Sequence, residues 1–261
     1  MKEADKQISE NLFEGMTSIR AVIKTIRAGE SDRRIIRIMY DEERRKARRG
    51  ELAFLKAMSY DLGFELIALP ADKIEQIAIG NTHGGLLCET TLRSYDELSA
   101  ETVMRDFPDP CSRFFALLEG IEDPYNFGYA IRSLWAAGVS AIILSKRSWM
   151  SAAGVVCRAS AGASELCRMY TYSENLTEII KSLGMKLICC DIKNSVPIYD
   201  ADLKKPLLLC VGGEKRGLSR EILDAADAIV RLEYGRDFPA ALSAASAATI
   251  AGYEVFRQNK V

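Results

Sequence analysis

Histidine is almost absent from this chain, since His83 is the single one among 261 residues. The seven cysteines are odd in number and include no Cys-x-x-Cys pair, and most lie in apolar stretches such as residues 187–190. A zinc site, a disulfide framework and catalysis by a histidine-based dyad or triad are therefore disfavoured. We expect no metal partner, and we expect most of the cysteines to be buried free thiols.

Long hydrophobic runs and an excess of one charge are also missing. The best apolar runs, such as residues 136–144, are far shorter than the roughly 18 residues that a transmembrane helix needs. The first residues lack the apolar stretch of a secretory signal. Lysine and arginine number 35 against 36 aspartates and glutamates, so bulk charge does not indicate nucleic-acid binding. We expect a soluble, cytoplasmic globular protein without a membrane partner.

One stretch is nevertheless strongly basic. Residues 33–49 carry eight basic side chains against three acidic ones. Its last four arginines, Arg44, Arg45, Arg48 and Arg49, could form a phosphate-binding face. The same charges also fit the solvated surface of a salt-bridged helix, and from the charges alone that second interpretation is favoured.

Hydrophobic periods alternate between those of strands and those of helices, which is typical of an α/β fold. Residues 91–111 contain two prolines and many charges and are predicted to be a linker. The boundary near residue 108 divides the chain into α/β domains at 1–107 and 108–261. The expected helices lie near 16–28, 43–62, 72–79, 126–137, 152–161, 174–183 and from about 239, and the expected strands at 34–40, 64–69, 85–90, 114–118, 141–144, 168–171, 186–190, 206–211 and 228–232.

A glycine-rich turn, residues 212–217, follows the strand at 206–211. It has the glycine spacing of a P-loop, but Leu218 stands where lysine should contact phosphate. The dinucleotide fingerprint is also absent from the first strand-to-helix turn of this half, which leaves little support for a Rossmann enzyme. Glycine backbone lets a flat ligand approach closely. A tight connection without any ligand explains the turn about equally well.

A second candidate segment begins at Asp123 and runs to Arg132. Asn126 lies near the carboxyl end of a strand, where open α/β sheets bind ligands. Arg132 lies on an otherwise apolar helix, so we expect it on the buried side, either facing a site or paired with a carboxylate. The third segment is the terminal helix, rich in small residues, with Pro239 expected in its first turn and Ser243 near its start.

Taken in chain order, the three segments resemble the three motifs of the SpoU/TrmH family of the SPOUT superfamily, the knotted RNA ribose 2′-O-methyltransferases. Asp-Pro-x-Asn-x-Gly-x-x-x-Arg, ending at Arg132, is similar to the first motif. Val-Gly-Gly-Glu-Lys-x-Gly-Leu-Ser, from residue 211, is similar to the second, and Leu242 with the following helix to the third. The region before them, with Gly15 and His83-Gly-Gly-Leu, resembles the ribosomal-protein-like substrate-binding domain that often precedes this family's catalytic domain.

The resemblance implies a fold, a cofactor and a reaction. The fold would be a SPOUT α/β domain with a deep trefoil knot in roughly the last 60 residues, preceded by a small α/β RNA-binding domain, in a homodimer. The reaction would be methyl transfer from S-adenosyl-L-methionine to a ribose 2′-hydroxyl, in ribosomal RNA rather than transfer RNA. The implied catalytic residues are Arg132, Asn126 and Ser243, the cofactor-binding residues Gly212, Glu214, Gly217, Leu232 and Leu242, and the RNA-binding residues Arg44, Arg45, Arg48 and Arg49.

The sequence departs from the family pattern in the third motif. Ser-Leu-Asn-Val-Ser is replaced by Ala-Leu-Ser-Ala-Ala at 241–245, so Ser243 stands in the place of asparagine. Leu232-Glu233-Tyr234 stands in the place of Ile-Pro-Met, and the loop after it is about two residues longer. A catalytically impaired knotted dimer that only binds RNA is therefore the alternative function. The proton acceptor also stays open between Arg132 and a substrate phosphate.

Overall fold

The computed structural model describes residues 11–145, 152–172 and 175–260. Its helices, numbered in chain order, are α1 (Gly15–Arg27), α2 (Arg49–Leu62), α3 (Ala71–Ile77), α4 (Ala100–Asp106), α5 (Pro124–Ala136), α6 (Ala153–Ala159), α7 (Ala163–Leu166), α8 (Leu176–Ser182), α9 (Arg220–Asp224) and α10 (Ala244–Asn259). Its strands are β1 (Leu12–Glu14), β2 (Ile35–Asp41), β3 (Glu65–Leu69), β4 (Leu86–Thr90), β5 (Asp96–Glu97), β6 (Phe114–Glu119), β7 (Ala141–Leu144), β8 (Arg168–Thr171), β9 (Lys186–Cys190), β10 (Val196–Pro197), β11 (Leu207–Gly212) and β12 (Ala228–Arg231).

The chain forms two compact units, and each contains two stretches of sequence. The first unit comprises Met1–Ser94 and Trp149–Leu166, and the second comprises Tyr95–Ser148 and Cys167–Val261. The contacts therefore change units after Ser94, earlier than the sequence boundary at 107/108. The physical reason is that β5 pairs with β8 and joins the sheet of the second unit.

The first unit is a four-stranded sheet in the order β1-β4-β2-β3, in which β2 and β3 are parallel and the other pairs antiparallel. Its core contains Phe13, Ile19 and Leu55 together with Ala153 and Cys157 from the second stretch. Helix α6 lies directly on β1, because a Cβ added at Gly154 would collide with the carbonyl of Leu12.

A buried ion-pair cluster also fixes this second stretch within the first unit. The guanidinium of Arg33 donates to both carboxylate oxygens of Glu165, at 3.0 and 3.2 Å. Arg93 donates to the backbone oxygen of Glu165 at 3.1 Å, and all three side chains are buried. Glu14 and Arg158 form a further ion pair between the two stretches. Residues 152–166 are therefore part of the first unit by packing, although they follow the strand β7 of the second unit in sequence.

The second unit is an eight-stranded sheet in the order β10-β12-β9-β11-β6-β7-β8-β5, and all seven neighbouring pairs are parallel. Its central strands β6, β7 and β11 are buried along nearly their whole length. Strands covered on both faces are expected to be continuous apolar runs, which is why the sequence predicted them well. The α/β class with a parallel sheet is confirmed.

The stretch predicted to be a linker is ordered instead. It contains β5 and α4, which begins with a capping box formed by Ser99 and Thr102. Asp96 and Asp106 accept hydrogen bonds from Arg105, both at 2.8 Å, and both also pair with Arg168. The prolines and charges of residues 91–111 wrongly indicated a linker. Several of the charged side chains form ion pairs within folded structure, and both prolines lie after the end of α4.

Acid should weaken the second unit through these two carboxyl groups. The hydrogen bond from Arg105 lowers the pKa of Asp96. Burial acts to raise the pKa of Asp106, but hydrogen bonds from Arg105 and Tyr170 leave that pKa lowered as well. Folded-state pKa values below the unfolded ones give stability that is complete above pH about 5 and is lost as the pH falls further.

We expect the free energy of urea unfolding to decline from pH about 5 to about 2. The decline should be shallower in the double variant Asp96→Asn/Asp106→Asn. An equally steep decline in that variant would show that the network contributes nothing to acid sensitivity.

Candidate active site

Three segments meet in the second unit, around the carboxyl ends of the neighbouring parallel strands β6 and β11. They are the loop from β6 into α5, the glycine turn at 212–217, and the start of α10. Because parallel strands end at the same edge of a sheet, ligands of open α/β folds bind at such positions. The sequence segments singled out above therefore converge in space through contacts within one unit.

The glycine turn folds closely onto itself and onto the loop after β6. A Cβ at Gly213 would collide with the carbonyl of Gly120, and one at Gly212 would lie 2.6 Å from the backbone nitrogen of Leu218. Gly217 has a φ of +65°, in the left-handed region. The chain's own backbone thus accounts for glycine at these positions, and what remains is a stretch of main chain without side chains at the edge of the sheet.

Carboxylates hold the three segments together. The side chain of Glu119, the last residue of β6, accepts a hydrogen bond from the backbone N–H of Ser219 at 2.7 Å. The carboxylate of Glu214 accepts from the backbone N–H of Ala244 at 2.9 Å, at the first residue of α10. A carboxylate at a helix N-terminus is stabilised by the unpaired amides and the helix dipole there. Glu214 therefore links the second segment to the third.

The third segment differs from the prediction at its start. Helix α10 begins at Ala244 and not near Pro239, because Ser243 has extended backbone and its hydroxyl accepts from the N–H of Ser246 at 3.2 Å. A serine at this position satisfies an amide that the first helical turn leaves unpaired. Leu232 and Leu242 are both half-buried, and the N–H of Leu242 donates to the Tyr234 hydroxyl at 3.2 Å.

The two polar candidates of the first segment, Asn126 and Arg132, differ in their exposure to solvent. Asp123 caps α5 by accepting from the N–H of Asn126 at 2.8 Å, so the half-buried Asn126 lies in the first turn. Arg132 is exposed, and in the part of the chain that the structure describes it has neither a hydrogen bond nor an ion pair. The expectation that it lies on the buried side was wrong for the single chain. The apolar residues around it include two exposed aromatics, Tyr129 and Trp135.

Helices α5 and α10 pack tightly against each other. A Cβ at Gly252 would lie 2.9 Å from a methyl of Leu134 and 3.5 Å from the Cβ of Ala137. The small residues of α10, which the sequence left without a function, therefore permit this close approach. The packing fixes the start of α10 relative to the loop that carries Asn126.

The basic cluster of Arg44, Arg45, Arg48 and Arg49 lies in the first unit. It spans a short 3-10 turn and the start of α2, which begins later than predicted, at Arg49. Arg44 pairs with Asp41 at 3.0 Å and Arg48 pairs with Glu51. Arg45 and Arg49 are exposed and have no ion pair with any described residue. Two of the arginines thus fit the salt-bridged interpretation, and two remain available to a phosphate.

Two residues that contribute to this geometry were missed by the sequence analysis. Glu119 directly follows the predicted strand 114–118 and precedes Gly120, and that position is the only signal that it gives. Tyr234 was noted only as a departure from the family pattern, whereas its hydroxyl binds the N–H next to Ser243. Hydrogen bonds to backbone amides leave no spacing or residue pattern in a sequence.

Potential metal ligands are not grouped in the described residues, and two of the cysteine thiols are not activated. Among residues 11–145, 152–172 and 175–260, no group of three His, Cys, Asp or Glu side chains is placed to hold a metal ion. Burial raises the pKa of Cys157 and of Cys190 to about 12, so these thiols stay protonated and unreactive. The same ranges contain no helix that is long and apolar enough to cross a membrane.

Alanine at Gly213 should disrupt the glycine turn. Its methyl group would meet backbone atoms of Gly120, which cannot rotate away as a side chain can. Overpacking typically costs about 1–3 kcal/mol, and we expect the upper end here. Urea unfolding measures the loss, with Gly235→Ala as the matched control because a Cβ there meets nothing within 4 Å. Equal stability of the two variants would contradict the close contact between the turn and Gly120.

Comparison with known proteins identifies the family. The sequence model of the SpoU rRNA Methylase family matches residues 113–253, which is more than half of the 261-residue chain. The chain belongs to this family. The predicted membership of this family is thereby confirmed, and the matched range contains Arg132, Glu214 and Leu242.

Relatives of this SpoU family member cover most of its length. It is 27% identical over 245 residues to YacO of Bacillus subtilis (strain 168), provisionally named a TrmH family tRNA/rRNA methyltransferase, with 91% of this chain and 93% of YacO covered. It is 30% identical over 168 residues to the 23S rRNA (guanosine-2′-O-)-methyltransferase RlmB of Shewanella oneidensis, with 63% of this chain and 64% of RlmB covered.

Solved structures share the fold. An rRNA methyltransferase from Sinorhizobium meliloti has a TM-score of 0.76 at 20% identity and covers 97% of this chain and 93% of its own. The SpoU methyltransferase AviRb from Streptomyces viridochromogenes, solved in complex with AdoMet, has a TM-score of 0.71 at 21% identity, covering 95% of this chain and 89% of AviRb. Identities this low extend the likeness to the fold and no further.

Proposed function

We propose that this protein transfers a methyl group from S-adenosyl-L-methionine to a ribose 2′-hydroxyl of RNA, in the cytoplasm, with ribosomal RNA as the preferred substrate. The observation that carries the proposal is the link from Glu214 to the N-terminus of α10, because it joins the second and third motifs in a chain of the SpoU family. The name of RlmB states 2′-O-methylation of 23S rRNA for that relative.

The residues at the glycine turn fit an adenosyl cofactor. Gly212, half-buried, and Gly213, buried, contribute main chain without side chains, and Leu218, Leu232 and Leu242 would supply apolar contacts to the cofactor. Main chain without side chains combined with apolar side chains suits a flat purine, whose edge pairs with backbone groups and whose faces need apolar cover. Gly217 keeps the turn closed, and Glu214 holds it against α10. When bound, the cofactor supplies a methyl group on a positively charged sulfur.

The remaining roles belong to the chain's own side chains. Asn126, at the first turn of α5, holds the ribose hydroxyl, and the guanidinium of Arg132 stabilises the negative charge that develops on its oxygen. Arginine keeps its proton at neutral pH, so it acts as a fixed cation. Ser243 caps α10 with its hydroxyl, and we assign it to positioning the end of that helix.

RNA binding is assigned to the predicted N-terminal domain, residues 1–107, which belongs to the first unit up to Ser94, and catalysis to the predicted knotted domain, 108–261, most of which belongs to the second unit. Arg44, Arg45, Arg48 and Arg49 would contact phosphates, and Arg45 and Arg49 are the two without a carboxylate partner among the described residues. Phosphate contacts of this kind make affinity fall as salt rises.

The active form is proposed to be a homodimer. Helices α5 and α10, packed against each other, expose five large aromatic side chains: Tyr125, Tyr129, Trp135, Tyr253 and Phe256. Exposed apolar patches of this kind mark interfaces, and a second copy would bury the surface from which Arg132 projects. Light scattering at micromolar concentration should give twice the mass of one chain, and a monomeric mass would rule out the dimer.

Two measurements test the reaction. Isothermal titration measures S-adenosylmethionine binding, and transfer of a tritiated methyl group to total RNA measures turnover. Mapping 2′-O-methyl sites in RNA from cells with and without the protein then identifies the nucleotide. We expect binding, transfer and the loss of one mapped site. Binding without transfer on any RNA would favour the alternative of an RNA-binding dimer, which the altered residues Ser243 and Ala245 motivate.

A further inference from the structure

The loop between β12 and α10 exposes two aromatic rings. Tyr234 is 38% exposed and Phe238 is 52% exposed, although rings of this size usually bury most of their surface. The ring centroids lie 6.0 Å apart and the ring planes are inclined by 57°. The two rings therefore form an open corner, with ring faces available to a ligand.

This aromatic corner is tied to the candidate active site. The hydroxyl of Tyr234 accepts a hydrogen bond from the N–H of Leu242 at 3.2 Å. Leu242 precedes Ser243, the cap of α10, and the next residue, Ala244, is bound by the carboxylate of Glu214. Two hydrogen bonds within three successive residues thus connect the corner to the glycine turn.

The chemistry of the corner suits a nucleobase. Aromatic faces stack with unpaired bases, and every base offers such a face. Arg236 lies between the two rings in sequence, is exposed, and has no hydrogen bond or ion pair with the described residues. Its guanidinium can stack on a base or pair with a phosphate. The loop is also where this chain departs from the family pattern, since Tyr234 replaces the methionine of Ile-Pro-Met.

We propose that Tyr234 and Phe238 form a stacking site for an unpaired nucleobase of the RNA substrate, beside the site of methyl transfer. The assignment rests on the proposed function for its setting, and it adds a residue pair that selects single-stranded over paired RNA. Because the planes are inclined by 57°, the base stacks on one ring and meets the edge of the other. A base in a duplex is already stacked and cannot enter.

Binding of short single-stranded RNAs tests this directly. The probes are oligonucleotides of about 12 residues, rich in A, C or U, each with one 2-aminopurine, since stacking on aromatic platforms tolerates any sequence. We expect Phe238→Ala to lower affinity about 5- to 150-fold, the range for loss of one stacked base. Phe238→Trp should keep the affinity, and 2-aminopurine fluorescence should be quenched by wild type and Phe238→Trp but much less by Phe238→Ala.

The control variant is Tyr199→Ala, which removes another exposed ring of the second unit. Unchanged affinity in Phe238→Ala, an equal loss in Tyr199→Ala, or no binding of any probe by wild type would overturn the proposal. The loss should also be the same at low and high salt, since stacking releases no counterions. Methyl transfer is measured separately. If the wild type transfers methyl groups but Phe238→Ala does not change RNA affinity, the stacking site is wrong and the proposed function stands. If Phe238→Ala lowers RNA affinity but the wild type transfers no methyl group, the stacking site stands and the proposed function is wrong.

Discussion

Replacing Arg132 by alanine is expected to reduce methyl transfer to RNA to a small residual rate while S-adenosylmethionine still binds. In the proposed reaction the guanidinium stabilises the negative charge that forms on the ribose oxygen. That charge is absent from the bound substrate and develops only toward the transition state. Removing one such donor typically lowers turnover by about 10²- to 10³-fold. Stability should change little, because Arg132 is exposed and has no hydrogen bond or ion pair within the described residues.

Single-turnover rates with saturating RNA and cofactor, together with calorimetric cofactor affinity, measure the two effects separately. Arg132→Lys keeps the charge but loses the planar fork, so we expect an intermediate rate. The matched control is Arg220→Ala, which removes an exposed arginine at the start of α9 and should leave turnover unchanged. Turnover of Arg132→Ala at the wild-type rate would remove this residue from the active site.

The exposure of Arg132 shows where prediction of the site from sequence reaches its limit. Its apolar neighbours indicate a buried helix face, but Tyr129 and Trp135 are themselves exposed in the single chain. Apolar periodicity identifies a face that avoids water and does not distinguish a core from an interface. By contrast, the resemblance to the family's motifs implied that the glycine turn and the loop after β6 contribute to one site, and the structure brings them together at neighbouring parallel strands.

The fold shows the same division between local and long-range information. Strands β6, β7 and β11 were predicted almost to the residue because each is a short apolar run between turn signals. The start of α10 was placed too early, because Pro239 and Ser243 both suit a helix N-terminus and only the observed cap decides between them. The assignment of residues 152–166 to the first unit could not be predicted at all. It depends on contacts such as Gly154 with Leu12, which are far apart in sequence.

The second large effect should come from Glu165, in this same stretch. Its carboxylate, buried with 2% of the side chain exposed, accepts two hydrogen bonds from Arg33, whose side chain is also 2% exposed. The variant Glu165→Gln keeps the shape and removes the charge, so the buried guanidinium loses its counter-charge. Removing one partner of a buried pair costs about 3–5 kcal/mol. We therefore expect the first unit of this variant to unfold at a much lower urea concentration than in the wild type. Fluorescence of a probe attached in that unit measures the unfolding.

The loss of stability in Glu165→Gln should come mainly from the buried charge that is left without a partner, and not only from the lost attraction between the two side chains. Two further variants separate these two contributions. Asp61→Asn breaks the exposed ion pair with Arg27 in the same unit, and exposed pairs contribute only about 0–1 kcal/mol. The triple variant Arg33→Met/Arg93→Met/Glu165→Leu removes all three buried charges of the cluster and should recover most of the stability lost in Glu165→Gln, since apolar replacements of buried ion pairs and triads are often neutral. If Glu165→Gln costs no more than Asp61→Asn, the pair does not hold residues 152–166 in place. If the triple variant is as unstable as Glu165→Gln, the loss reflects packing and not charge, because neither guanidinium of the cluster is then present to be left without a partner.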